Sequence, residues 1–304
     1  MTVASNLQRV LAAGHFAVTA ECGPPRGSDP EGIVKKGKLL LGSVDACNVT
    51  DNQTAVVRMC SLAACSLLRG VGLDPVMQMV CRDRNRIAAQ SDILGGAALG
   101  IRNILCLSGD HQKFGNQPQA KNVFDLDSIQ LIDAARTLRN GTILGGDKLE
   151  SAPALFVGAA ENPFADPFAI RVPRLAKKIA AGAEFIQTQC VFNLDRFAKW
   201  MEGARARGLH EKTAVLAGVT PMKSARMAEY MATKVAGMDV PEKLVARMKG
   251  VPKDKAKAEG IAIAVETILA LREMPGVRGV HVMAIEWEDA VPEIVRMAGL
   301  APRP

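Results

Sequence analysis

Aromatic residues are scarce in this 304-residue chain: one Tyr, two Trp and nine Phe make up 4% of it. Nucleic-acid binders commonly set aromatics among basic residues, stacking bases while holding phosphates. The densest basic stretches here, Lys35-Lys36-Gly37-Lys38 and Lys249 to Lys257, contain no aromatic and read as solvated helix faces, so no nucleic-acid partner is expected. Histidine is rarer still, and His15, His111, His210 and His281 are too dispersed to argue for a metal site. Seven cysteines (Cys22, Cys47, Cys60, Cys65, Cys81, Cys106, Cys190) include no CxxC pair. An odd number of thiols, most within apolar runs, reads as reduced, core-filling and cytoplasmic rather than as a disulfide framework. No uninterrupted apolar stretch reaches the roughly 18 residues of a membrane span. Residues 1–10 hold one arginine and no long apolar core, so no leader is expected. No GxGxxG follows the first strand candidate, which disfavours an open dinucleotide-binding sheet.

What is present is repetition. At 48% hydrophobic and 23% charged, with a formal net charge of +7, the composition suits one globular α/β domain over residues 1–304. The modest positive charge suits a polyanionic small molecule. Roughly every 30 residues an apolar, β-rich run ends in a polar residue and a turn, the length of one strand-plus-helix unit. The strand candidates are Phe16–Glu21, Val44–Val49, Pro75–Val80, Asn103–Leu107, Ala154–Gly158, Glu184–Gln189, Thr213–Ala217 and Val280–Ile285. They lack strict alternation, as parallel strands buried on both faces do. Helical patterns fall at Gln53–Leu68, Asn85–Gly96, Ser128–Leu138 (capped by Asp127), Val172–Ala181 (stopped by Gly182), Asp195–Arg207, Lys223–Lys234, Pro241–Lys249 and Lys255–Met274. Eight right-handed βα units close into a (β/α)8 TIM barrel. Ser108 to Ser151 is a long polar connection around one helix, and its place after the fourth strand marks an active-site loop.

Barrels of this kind build their active sites from the C-terminal ends of the strands. Those ends carry Glu21, Thr50-Asp51-Asn52, Gln78, Ser108-Gly109-Asp110-His111, Glu161-Asn162-Pro163, Thr188-Gln189 and Glu286. A carboxyl behind Pro24-Pro25 at a barrel mouth is partly desolvated, which raises its pKa and favours proton donation. Glu21 is therefore a general-acid candidate, with a structural salt bridge as the alternative. Asp110 follows Gly109, which lets backbone approach a ligand. It either stabilises a developing cation and holds a heterocycle by its N–H groups, or caps a turn. Gln189 either donates and accepts toward a bound ring or makes an inter-strand amide contact. For Lys178, the residue pattern favours an exposed helix charge over a phosphate ligand.

The blocks Ala20-Glu21-Cys22-Gly23-Pro24-Pro25, Asn48-Val49-Thr50-Asp51, Leu107-Ser108-Gly109-Asp110-His111, Lys177 to Ala183 and Ile186 to Asn193 together resemble the methylenetetrahydrofolate reductase family, in order and spacing, over nearly the whole chain. The resemblance implies a barrel with a flavin at the C-terminal strand ends, FAD with FMN as the alternative, and hydride transfer from flavin N5 to 5,10-methylenetetrahydrofolate. By the same resemblance Glu21 is the acid that protonates N10. Asp110 contacts the pterin and tempers the flavin, and Gln189 lies near folate and nicotinamide. Thr50 touches the flavin, with Gln78, Ser108 and Gly109 in its pocket. Lys178 lies near its phosphate-ribityl side, reversing the reading from the residue pattern. Phe124 falls where the family often has a tyrosine over the flavin, and Glu161 and Asn162 close on the adenosine portion.

The departures carry expectations of their own. Gln78 stands in place of a histidine, Ser108 in place of an arginine and Asn193 in place of an aspartate. The Pro241–Met248 helix offers no aromatic to stack on a nicotinamide. The pattern resembles the short reductases of anaerobic one-carbon pathways, which implies an electron-delivering protein partner rather than NADH or NADPH. A homo-oligomer is compatible with it. The competing function is a pterin-binding barrel methyltransferase that passes a methyl group between tetrahydrofolate and a corrinoid protein; it would need no flavin.

Overall fold

The computed structural model describes residues 5–235 and 237–304. The leader expectation rests partly on residues 1–4, which lie outside the described residues. The elements run α1 (Asn6–Ala12), β1 (Ala17–Cys22), α2 (Glu31–Leu40), β2 (Ala46–Val49), α3 (Ser61–Gly70), β3 (Pro75–Val80), α4 (Arg86–Ala98), β4 (Asn103–Leu107), α5 (Ser128–Arg139) and β5 (Phe156–Glu161). They continue with α6 (Arg171–Ala181), β6 (Phe185–Cys190), α7 (Leu194–Ala206), β7 (Ala214–Val219), α8 (Ala225–Lys234), α9 (Glu242–Lys249), α10 (Ala256–Arg272), β8 (Val277–Val282) and α11 (Ala290–Met297). Each strand pairs in parallel with the next, and β8 closes on β1 with Ala17 opposite Gly279. This is the expected (β/α)8 barrel.

Alternate residues of a strand face the same side, so the barrel interior is built in layers. At the N-terminal end, Ala17, Ala46, Val76, Leu105, Phe156, Phe185 and Leu216 form one apolar cluster with Leu7, Val10 and Leu11 of α1, which seals the floor. The Phe156 and Phe185 rings stack at 4.9 Å. Gly158 makes room for them: a Cβ there would stand 2.2 Å from Phe185 Cζ. Two residues further along the strands, the buried inward set turns polar, with Thr19, Asn48, Gln187 and His281. Asn48 and Gln187 exchange side-chain hydrogen bonds at 2.6 and 3.0 Å, and Gln187 Nε2 donates to Thr19 Oγ1 at 3.1 Å. Outside the strands, Leu68, Ile93, Phe197, Trp200 and Ile268 are among the fully buried side chains that bind the helices to the barrel. Each large side chain buried there contributes roughly 1.5–3 kcal/mol.

Local signals held at several ends. Asp127 caps α5 in a full capping box with Gln130, and Gly182 ends α6 at φ +123°. Elsewhere the structure differs. The helix expected over Gln53–Leu68 starts only at Ser61, because Asn52, Thr54 and Ala55 take positive φ and form a tight turn instead. The fifth strand runs later than expected and the eighth earlier, so Glu286 is a loop residue rather than a strand end. Helices α1, α2 and α11 fall outside the expected set; Ser5 caps α1 by accepting from Gln8 N, whereas Pro30 before α2 makes no side-chain cap.

Candidate active site

A cavity of about 940 Å³ opens at the C-terminal ends of the strands. Glu21, Gln78, Ser108, Asp110, Glu161, Asn162, Lys178 and Gln189 all line it. Glu21 comes from β1, two residues above Thr19. Burial raises its pKa to about 7, against a lowering hydrogen bond from Gln78, and the charge of Glu288 adds to the rise. This carboxyl therefore holds its proton to neutral pH. Beneath it, His281 shares a hydrogen bond with Thr19 Oγ1 at 2.9 Å through Nδ1, while Nε2 stands 4.0 Å from Glu21 Oε2. Burial pushes the His281 pKa down to about 3, so the ring is neutral and the contact with Glu21 is not an ion pair. Among the described residues, no Lys or Arg pairs with Glu21 as the salt-bridge alternative would require.

The turn after β4 is fixed by packing. Gly109 has φ +87°, and a Cβ on it would meet Val80 Cβ at 2.9 Å. Buried Arg82 donates to the Asp110 backbone carbonyl at 2.9 Å and chelates Asp83. The Asp110 side chain is left exposed at the rim. Gln189 lines the cavity, and its Oε1 accepts from Cys190 N at 3.0 Å.

Lys178 is the clearest reversal of the residue pattern. It is buried, pairs with Glu161 at 2.6 Å and donates to the Ala160 carbonyl at 2.6 Å. Burial lowers its pKa and the Glu161 charge opposes that shift. Asn162 is held by Gly237, donating to its carbonyl at 3.0 Å. Thr50, Gly109 and Phe124 do not line the cavity. Thr50 Oγ1 is buried without a hydrogen-bond partner, beside Gly23, where a Cβ would approach it to 3.9 Å. Phe124 is 41% exposed at φ +41°. Of the Ser108–Ser151 segment, only Ser108, Asp110 and Ser128 reach the cavity wall.

Several wall residues were missed. Gln187 and His281 share the inward face with Gln189 and Met283, and the period-two spacing of polar residues along β6 was the available signal. Arg171 and Arg174 line the wall with Lys178, and Met227, Tyr230, Met231, Met238, Met283 and Ile285 add apolar surface. The site thus pairs a carboxyl of raised pKa and amides with cations and apolar surface. A flat polar heterocycle with an anionic tail fits this donor set.

A family model described as methylenetetrahydrofolate reductase matches residues 6–299. The chain belongs to the methylenetetrahydrofolate reductase family. A relative from Caenorhabditis elegans, named probable methylenetetrahydrofolate reductase (NADPH), is 23% identical over 255 residues, covering 82% of this chain and 36% of that protein. Methylenetetrahydrofolate reductase (NADH) 1 of Arabidopsis thaliana is 23% identical over 313 residues, covering 99% of this chain and 51% of its own length. The chain thus spans about half or less of the length of these curated family members. Among solved structures, a Clostridium thermocellum protein described as binding two copies of 5-methyl-5,6,7,8-tetrahydrofolic acid superposes with a TM-score of 0.62 at 12% identity. It covers 97% of this chain and 98% of its own, and shows the shared barrel fold. Among the described residues of this family member, no helix is long and apolar enough to cross a membrane.

Proposed function

We propose that this chain reduces 5,10-methylenetetrahydrofolate to 5-methyltetrahydrofolate with a bound flavin, FAD or FMN. The observation that carries the reading is Glu21: a carboxyl with a pKa raised to about 7, facing a roomy cavity in a chain of this family. A general acid works best with a pKa near the operating pH. Ring opening breaks the bond between the methylene carbon and N10, and Glu21 delivers its proton to N10. Asp110, with an exposed carboxylate on the same rim, opposes the positive charge that ring opening leaves on the folate. The Gln189 amide donates to the pterin edge. Gln78 is the polar wall group that would hold the flavin ring, and Lys178, Arg171 and Arg174, on the same cavity wall, would hold its phosphate tail. When bound, the flavin supplies the hydride that completes the methyl group.

The fold similarity to a protein described as binding 5-methyltetrahydrofolic acid is in keeping with a folate substrate. The electron donor of this reading is a protein partner. No aromatic stands on α9, and the exposed Lys253 and Lys255 suit an acidic surface. Lys249 and Lys257 contribute less, being engaged by Glu229 at 2.6 Å and by the Trp287 ring at 5.7 Å. The deciding experiment is an anaerobic assay of the purified protein with a dye donor, alongside its visible spectrum. A flavin spectrum with methylenetetrahydrofolate reduction is expected, and a colourless, inactive protein would overturn the reading. Stopped-flow reduction by NADH or NADPH at about 10 s⁻¹ or faster, an ordinary turnover rate, would remove the partner.

A further inference from the structure

We propose that the N-terminal face of the barrel carries a second binding site, which takes the oligophosphate group of a small anion. This site is independent of the reaction proposed above. A polar pocket of about 680 Å³ lies at the entries of β3 and β4, on the face opposite Glu21. Arg9, Arg69 and Arg102 converge on it from α1, α3 and the α4–β4 turn.

The guanidiniums of Arg69 and Arg102 are held by backbone rather than by acids. Arg69 Nη1 donates to the Gly100 carbonyl at 2.6 Å, and Arg102 Nη1 to the Ala97 carbonyl at 3.1 Å. Neither forms an ion pair with a carboxylate of the described residues, whereas Arg82, Arg84, Arg139, Arg247 and Arg303 all do. Gly100 is part of the arrangement. It has φ +80°, and a Cβ on it would stand 2.2 Å from Arg69 Nη1, so only glycine lets the guanidinium lie across the turn. Arg9 is fixed by Asn6 Oδ1, at 3.2 Å from Nε and 2.7 Å from Nη2, and its Nη2 also donates to Pro304 O at 3.1 Å. The one carboxylate in the pocket, Asp74, is spent on accepting from Leu7 N at 3.0 Å, which ties down α1.

Oriented guanidinium forks with unused N–H groups bind phosphate oxygens in pairs. The forks of Arg69 and Arg102, with the more fully engaged Arg9 beside them, outnumber the single carboxylate Asp74 and favour a ligand with several negative charges over a single carboxylate. The pocket walls hold no aromatic, so recognition falls on the phosphates and not on a base.

The test is calorimetric titration of the whole protein, at fixed ionic strength, with tripolyphosphate, ATP and AMP. Tripolyphosphate and ATP should bind alike with Kd below about 1 mM, and AMP at least tenfold more weakly. The double variant Arg69→Gln/Arg102→Gln should lose tenfold or more. Arg171→Gln/Arg174→Gln, at the other end of the barrel, should bind as the parent does. Asp74→Asn keeps the acceptor for Leu7 N and removes the opposing charge, so it should bind tighter; this decides the matter if the double variant fails to fold. No binding of tripolyphosphate at 1 mM, equal binding by the double variant, or loss through Arg171→Gln/Arg174→Gln would each overturn the site. ATP binding far more tightly than tripolyphosphate would overturn recognition by phosphate alone.

Discussion

The same eight strands build two different interiors. At the N-terminal end, Ala17, Ala46, Val76, Leu105, Phe156, Phe185 and Leu216 meet α1 in an apolar plug. Six residues or fewer along each strand, the interior holds Glu21 with its raised pKa, the buried Glu161–Lys178 pair, and nearby Thr50 with an unsatisfied hydroxyl. The non-glycine residues at positive φ (Asn52, Thr54, Ala55, Phe124 and Glu286) all lie in loops that leave the C-terminal ends of strands. Each costs of order 1–3 kcal/mol. A close-packed floor supplies stability, and the rim carries a buried ion pair and strained loops. A substitution at the floor should thus cost folding, and one at the rim should cost chemistry.

Glu21→Gln is the sharpest way to break that division. It should lower folate turnover by about 10²–10⁴-fold, the usual worth of a general acid, with unchanged flavin absorbance. Near-parental turnover in a dye-coupled assay would take Glu21 out of the reaction. At the floor, Phe185→Ala should cost about 3–5 kcal/mol in urea unfolding, and turnover per folded molecule should hold. A loss of turnover without a loss of stability would erase the contrast.

Lys178→Met tests the rim from the other side. It leaves Glu161 buried without its cation, so a loss of roughly 3–5 kcal/mol is expected. Adding Glu161→Gln should restore much of it. If the single variant is as stable as the parent, the pair is not buried in solution.

The raised pKa of Glu21 gives a pH signature. A carboxyl whose folded pKa of about 7 exceeds its ordinary 4.5 binds its proton more tightly in the folded state. Its contribution is favourable below pH 4.5 and is lost as pH rises through 7. Glu21→Gln should therefore be more stable than the parent at pH 8, by up to about 3 kcal/mol, and no more stable at pH 4. Parental turnover should fall above pH 7 as the acid ionises. Equal denaturation midpoints for the two proteins at pH 8 would contradict the shift. The smallest effect is expected at Phe124, outside the cavity wall: Phe124→Ala should change turnover less than threefold, and a larger loss would bring it to the flavin.

Much of this was legible in the residues because it is periodic or local. The 30-residue rhythm of apolar runs ending in polar residues marks a barrel. Asp127 and Gly182 announce the ends of α5 and α6, since capping is decided within one turn of chain. Glu21, Gln78, Asp110 and Gln189 could be placed on one rim because a strand end in a closed parallel barrel has only one place to be.

What the residues could not show was settled by contacts between distant segments. Lys178 sits on an amphipathic helix and reads as a surface charge until Glu161, 17 residues earlier, is found against it. Gln187 and His281 read as ordinary strand residues until β1, β2, β6 and β8 close around Thr19 and Asn48. The turn at Asn52–Ala55 packs against a loop far along the chain, where a Cβ on Gly115 would stand 1.7 Å from the Ala55 carbonyl. Periodicity and capping are set by neighbours in sequence, so the sequence alone determined the barrel and which strand-end residues share its rim. Desolvation, ion pairing and loop strain depend on which remote groups come within a few ångströms, and only the closed tertiary structure decided those.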